Sequence, residues 1–220
     1  MLQAVIFDMD GVLFDTEPLS AEGWRVASRQ FGIPVDEEIL QAVLGSNADS
    51  TRETMLRAYG PDFPFDAMNR VHWAYVSDYI AEHGVPVKPG LYQLLDYLDE
   101  HRIPYAVATS TKGENARFRL DNIGVLSRLS GLVTGDMVVS GKPDPEIFTR
   151  AAKALETPPA HCLVLEDSPH GILAAHRAGC QPMMIPDLKE PGEETLSLLF
   201  AQGKTLLDVI PVLEENAVCG

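Results

Sequence analysis

A series of short apolar runs, separated by stretches of helical periodicity, constrains this chain more than any other feature. The runs cover residues 2–7, 104–108, 131–134, 162–165 and 182–185. Runs this short and this apolar read as strands buried on both faces. Alternation of such strands with helices predicts a parallel sheet covered on both sides, a Rossmann-like α/β core. The intervening patterns agree. Leu91, Leu94, Leu95 and Leu98 recur at i, i+3, i+4 and i+7, and Ile147, Ala151, Ala154 and Leu155 at i, i+4, i+7 and i+8. Ile172, Ala175 and Ala178 make a third stripe, with Gly179 as its stop signal.

The first two strands lie far apart in sequence. Between Asp15 and about Val87 the chain reads as helices. Trp24, Ala27 and Phe31 share one face there, and Val71, Tyr75 and Tyr79 another. About seventy residues is too long for a crossover loop. The expectation is an all-helical cap domain, residues 17–83, inserted into a core built from residues 1–16 and 84–220. The segments 15–18 and 84–90 carry turn and linker chemistry and are the expected hinges.

Composition narrows the partners. Thirty-two acidic against 17 basic residues give a net charge of −15. A field of that sign repels nucleic acid and anionic lipid. No apolar run approaches the ~20 residues of a membrane span. Cys162, Cys180 and Cys219 have neither zinc-site nor disulfide-framework spacing, which suits reduced thiols. Asp8 and Asp10 fall inside the first ten residues, unlike any signal peptide. A soluble, cytoplasmic, monomeric chain is expected.

The acidic residues gather where an open parallel sheet binds its ligands, beyond the carboxyl ends of the strands. Asp8 and Asp10 follow the first run, and Glu166 and Asp167 the fourth. If those strands are neighbours, up to four carboxylates converge on one cleft and need a cation among them. With only oxygen ligands on offer, the cation expected is Mg²⁺. Thr109, Ser110 and Thr111 follow the second run and bring hydroxyls and amides suited to phosphate oxygens. Lys142 lies in Gly141-Lys142-Pro143-Asp144-Pro145, between turn residues and just before a helix. There it can neutralise charge and hold a phosphate.

Taken together, Asp8-Met9-Asp10-Gly11-Val12-Leu13-Phe14-Asp15-Thr16, Thr109, Gly141-Lys142-Pro143-Asp144-Pro145 and Glu166-Asp167-Ser168 resemble the four motifs of the haloacid dehalogenase-like hydrolases. The helical insertion is similar to the cap of the subfamily containing beta-phosphoglucomutase and many sugar-phosphate phosphatases. The resemblance implies that Asp8 attacks phosphorus and that Asp10 protonates the leaving oxygen, then activates water. It implies that Thr109, Ser110 and Lys142 hold the phosphoryl oxygens. It also implies Mg²⁺ bound by Asp8, Asp10 through its carbonyl, and Asp167, with Glu166 as a direct or water-mediated ligand. The expected reaction is hydrolysis of a small phosphate monoester, a sugar or polyol phosphate, through an aspartyl-phosphate.

Relatives with other chemistry fit less well. A phosphonate-cleaving enzyme needs a cap lysine, and the first lysine here is Lys88. A dehalogenase-like enzyme usually lacks the second acid, and Asp10 is present. The mutase pattern has a His where this chain has Ser20, and several cap cations where the 44–52 stretch has only Arg52. An inactive binding module would be expected to have lost Asp8, Asp10, Lys142 or Asp167, and all four are present. The candidate substrate contacts in the cap are Glu17, Ser46, Asn47 and Arg52.

Overall fold

The computed structural model describes residues 1–44, 48–186 and 191–216. The chain divides into two compact units, Met1–Phe14 with Val87–Gly220, and Asp15–Pro86. The first begins with β1 (Ala4–Phe7), whose four residues are all buried. The second holds four helices: α1 (Glu17–Phe31), α2 (Glu37–Val43), α3 (Ala48–Tyr59) and α4 (Phe65–His83). The first unit then resumes with α5 (Leu91–Glu100), β2 (Tyr105–Ala108), α6 (Gly113–Asn122), β3 (Gly131–Val133) and α7 (Glu146–Ala154). It closes with β4 (Cys162–Glu166), α8 (Pro169–Arg177), β5 (Gln181–Met184), α9 (Glu193–Leu196), β6 (Ala201–Gln202) and α10 (Val209–Asn216).

The sheet order is β3-β2-β1-β4-β5-β6, with every pairing parallel. The expected α/β fold class is therefore observed. β1 lies between β2 and β4, with Phe7 opposite Leu165. The chain adds β2 and β3 on one side of β1 and then returns to add β4 on the other. That reversal is the switch point at which such sheets open a crevice. The sixth strand is a finding beyond the sequence reading. It is two residues long, partly exposed and on the sheet edge, too short to carry a pattern.

Leu91, Leu94, Leu95 and Leu98 are buried as their spacing predicts. Ile147 and Phe148 of α7 pack with Ala106, Ala108 and Val164 in the main core cluster. Ala154, placed on the buried stripe of α7, is exposed. Gly179 does stop α8, with φ +77 and its amide on the carbonyl of His176. The helical unit has its own core of Trp24, Ala27, Leu40, Met55, Phe65 and Met68. There the stripe reading of α4 needs correction. Its buried residues are Phe65, Met68, His72 and Val76, while Val71, Tyr75 and Tyr79 are half-buried. Phe31 of α1 likewise lies at the exposed end of its helix. No helix among the described residues is long and apolar enough to cross a membrane.

Candidate active site

The chemistry-bearing strand ends of the core unit meet at the β1–β4 switch. Asp8 directly follows β1, and its amide donates to the carbonyl of Leu165 at 2.9 Å. The chain then turns through Asp10 and Gly11. Gly11 has φ +83, and a Cβ there would stand 2.4 Å from Oδ2 of Asp167. Only glycine adopts that backbone freely and leaves that space. The absent side chain lets the loop after β4 lay its carboxylate against the loop after β1.

Lys142 reaches into the same place. Its Nζ donates to Oδ1 of Asp8 and, at 2.6 Å, to Oε1 of Glu166. Its side chain is only 10% exposed and stands 5.0 Å from the Phe148 ring centroid. The loop that delivers it is held by Glu146, whose Oε2 accepts the amides of Val139 and Ser140 at 2.8 and 3.2 Å. Burial opposes the charge of Lys142, but the Asp8 and Glu166 carboxylates outweigh it and hold its pKa above the usual lysine range. Burial pushes the Asp8 carboxyl well above the usual carboxylate range. Lys142 opposes that shift, and the neighbouring Glu166 and Asp167 add to it. One shared ammonium does not neutralise the carboxylates around it.

Thr109 directly follows β2, is buried, and accepts the Thr111 amide on its hydroxyl oxygen at 3.0 Å. Its own proton remains available to donate. Ser110 is exposed on the same loop. Asp10 is gripped at both oxygens. Oδ2 accepts from the Thr111 hydroxyl at 2.9 Å and Oδ1 from Arg119 at 2.6 Å.

With this arrangement established, comparison with known proteins is decisive. A model of the family described as haloacid dehalogenase-like hydrolase matches residues 2–179. The chain belongs to the haloacid dehalogenase-like hydrolases. Within the family it is 34% identical over 182 residues to a validoxylamine A 7'-phosphate phosphatase of Streptomyces hygroscopicus subsp. limoneus. That match covers 81% of this chain and 83% of the relative. It is 34% identical over 184 residues to a phosphorylated carbohydrates phosphatase of Thermotoga maritima, covering 82% and 83%. A Thermotoga maritima structure provisionally assigned as a beta-phosphoglucomutase superposes with a TM-score of 0.81 at 30% identity, covering 97% and 99%.

Not every expected site residue of this hydrolase sits as anticipated. Glu166 is fully buried and committed. Oε1 takes Lys142, and Oε2 accepts the amides of Asp167 and Ser168 and the Ser168 hydroxyl, at 3.1, 3.0 and 2.9 Å. In this structure it anchors Lys142 and the β4–α8 turn. In the helical unit, Arg52 forms a two-point pair with Asp66 and lies over the Phe65 ring. Glu17 opens α1. Ser46 and Asn47 lie outside the described residues.

Arg119, which holds the Asp10 carboxylate, is a residue that sequence reasoning missed. Arg119 lies 109 positions from Asp10 on a helix without a motif, so no local pattern marks it.

Among the described residues no three acidic, His or Cys side chains close on a single point. A magnesium ion does not need that. It binds through one or two carboxylates and keeps several waters. Asp8 and Asp167, brought together across Gly11, offer hard oxygen donors with no soft ligand beside them, and the Asp167 charge adds to the burial that raises the Asp8 pKa. The residues present fit Mg²⁺.

Proposed function

We propose that this hydrolase is a Mg²⁺-dependent phosphatase of a small phosphate monoester, a sugar or polyol phosphate, acting through an aspartyl-phosphate on Asp8. The observation that carries the reading is Asp8 itself, a buried carboxylate at the switch point, bonded to a lysine whose side chain is 10% exposed and flanked by further acids. Phosphatases of phosphorylated carbohydrates among the relatives support the substrate class, and enzymes of this family generally use Mg²⁺.

In the proposed reaction an Asp8 oxygen forms a bond to phosphorus and the ester P–O bond breaks. The electron pair stays on the leaving oxygen, which takes a proton from Asp10. Water then attacks the phosphorus of the acyl phosphate and gives its proton to Asp10. Asp8 returns as a carboxylate and inorganic phosphate departs. Lys142 and Thr109 hold phosphoryl oxygens, with Ser110 on the same loop, and Lys142 lowers the repulsion between Asp8 and the incoming dianion. Bound at Asp8, Asp167 and the Asp10 carbonyl, Mg²⁺ supplies further positive charge against that repulsion. Glu166 holds Lys142 in place. Residues 1–16 and 84–220 carry the chemistry, and residues 17–83, with Glu17, Ser46, Asn47 and Arg52, select the substrate. Cytoplasmic residence and a monomeric chain belong to the same reading.

A phosphomutase is the second reading, favoured by the Thermotoga maritima structure. Two observations weigh against it. Ser20, at the mutase His position, spends its hydroxyl on the buried His72 at 3.0 Å, and the Arg52 charge is matched by Asp66. The deciding experiment is hydrolysis of p-nitrophenyl phosphate and a panel of sugar phosphates, with Mg²⁺ and with EDTA. Turnover abolished by EDTA is expected. No hydrolysis, with sugar phosphates interconverting once a bisphosphate primer is added, establishes the mutase instead.

A further inference from the structure

The two bonds that hold the Asp10 carboxylate are unequal. The bond from Arg119 to Oδ1 is charge-assisted, a class roughly twice as strong as a neutral hydrogen bond. The Arg119 guanidinium also stands 6.0 Å from the centroid of Phe14, a fully buried ring, within cation–π range. It is therefore fixed from two directions. The bond to Oδ2 comes from the neutral hydroxyl of Thr111, which is easily exchanged. Both donors come from the segment following β2, the start of which carries Thr109.

We propose that Arg119 is a positioning residue for Asp10: it tethers Oδ1 and leaves Oδ2 as the oxygen that gives and takes the proton. The inference rests on the phosphatase reading with Asp10 as acid and base. As the ester bond breaks, the proton leaves Oδ2 for the departing oxygen. In the second half-reaction the water proton arrives at Oδ2. Arg119 keeps all its protons throughout.

A purely structural role predicts little. The side chains of Arg119 and Asp10 are 34% and 45% exposed, and ion pairs that open to water contribute about 0–1 kcal/mol. An orienting role shows instead in how strongly the rate depends on the leaving group. The kcat/KM for an ester covers the steps up to leaving-group departure. Nitrophenolate departs without a proton, whereas the more basic phenolate needs one. The experiment compares kcat/KM for p-nitrophenyl phosphate and phenyl phosphate in wild type, Arg119→Met, Arg119→Lys and Thr111→Val, all with Mg²⁺. Arg119→Met is expected to lose at least about 10-fold more on phenyl phosphate than on p-nitrophenyl phosphate. Arg119→Lys restores most of that difference, and Thr111→Val shows a smaller one. An active wild type with equal losses on both esters, or with none, overturns the inference alone. A wild type inert toward both esters overturns the phosphatase reading and the inference with it.

Discussion

Asp8 and Lys142 form a pair that neither member could sustain alone at that depth, since an unpaired buried charge costs several kcal/mol. Lys142 is shared with Glu166, so the pair is really a chain of contacts from Asp8 to the β4–α8 turn. Asp8→Asn keeps the shape and removes the carboxylate proposed to attack phosphorus. Turnover is expected to fall by at least about 1,000-fold with an unchanged circular dichroism spectrum, and wild-type activity in the variant would sink the covalent mechanism. Gly171 tests the other end of the chain. A Cβ there would stand 1.7 Å from Oε1 of Glu166, and Glu166 is buried and bonded at both oxygens, so it has nowhere to swing. Gly171→Ala is expected to cost about 1–3 kcal/mol in urea denaturation and to lower kcat with it. An alanine variant of wild-type stability would mean that Glu166 is not locked. Asp8, Lys142 and Asp167 are legible from their motifs because each follows a recognisable strand or turn. The commitment of Glu166 is not, because Lys142, which takes one of its oxygens, lies 24 positions away in the chain.

Helix α8 shows how far one element can be read in advance. Ser168 caps it by accepting the Gly171 amide at 3.1 Å, Pro169 starts it, and Gly179 ends it. Ser168 also donates to Glu166, so Ser168→Ala removes a cap and a support together. Helix α4 is the opposite case. Tyrosines serve well at the rim of a core, where the ring packs and the hydroxyl stays wet, so Tyr75 and Tyr79 are only half-buried. The buried position goes to His72, which stacks on Trp24 at 4.7 Å and meets Ser20 through Nε2. Its Nδ1 has no partner among the described residues, and burial lowers its pKa from 6.5 to about 4 despite the Ser20 bond, which acts the other way. The folded state therefore binds this proton less readily than the unfolded state. Stability from His72 is intact above pH 6.5 and is lost as the pH falls from 6.5 toward 4, by about 3 kcal/mol in full. Denaturation of wild type and His72→Phe at pH 7 and pH 5 measures it. The wild type should lose more stability between the two values, and equal losses would show that His72 is not the group responsible.

Over the whole molecule, the net charge of −15 works against any phosphate approaching from a distance, so binding must rest on local cations at the switch point. Free Mg²⁺ at about 100 times its Kd should stabilise the chain by ~2.7 kcal/mol and raise Tm by about 5 °C or more. The same shift should fail in Asp167→Asn. A wild-type Tm indifferent to Mg²⁺ would remove the ion from the reading. The α/β class, the helical insertion and the motif residues could all be read in advance. Strand runs, helical stripes and strand-end acids are local patterns, and local patterns survive in one dimension. The strand order, the closure of Asp167 on Gly11, the Lys142–Glu166 bond and the Arg119–Asp10 bond join segments far apart in the chain. The site contacts exist because β1 stands between β2 and β4 in the sheet. No spacing in the sequence encodes which distant side chain arrives there.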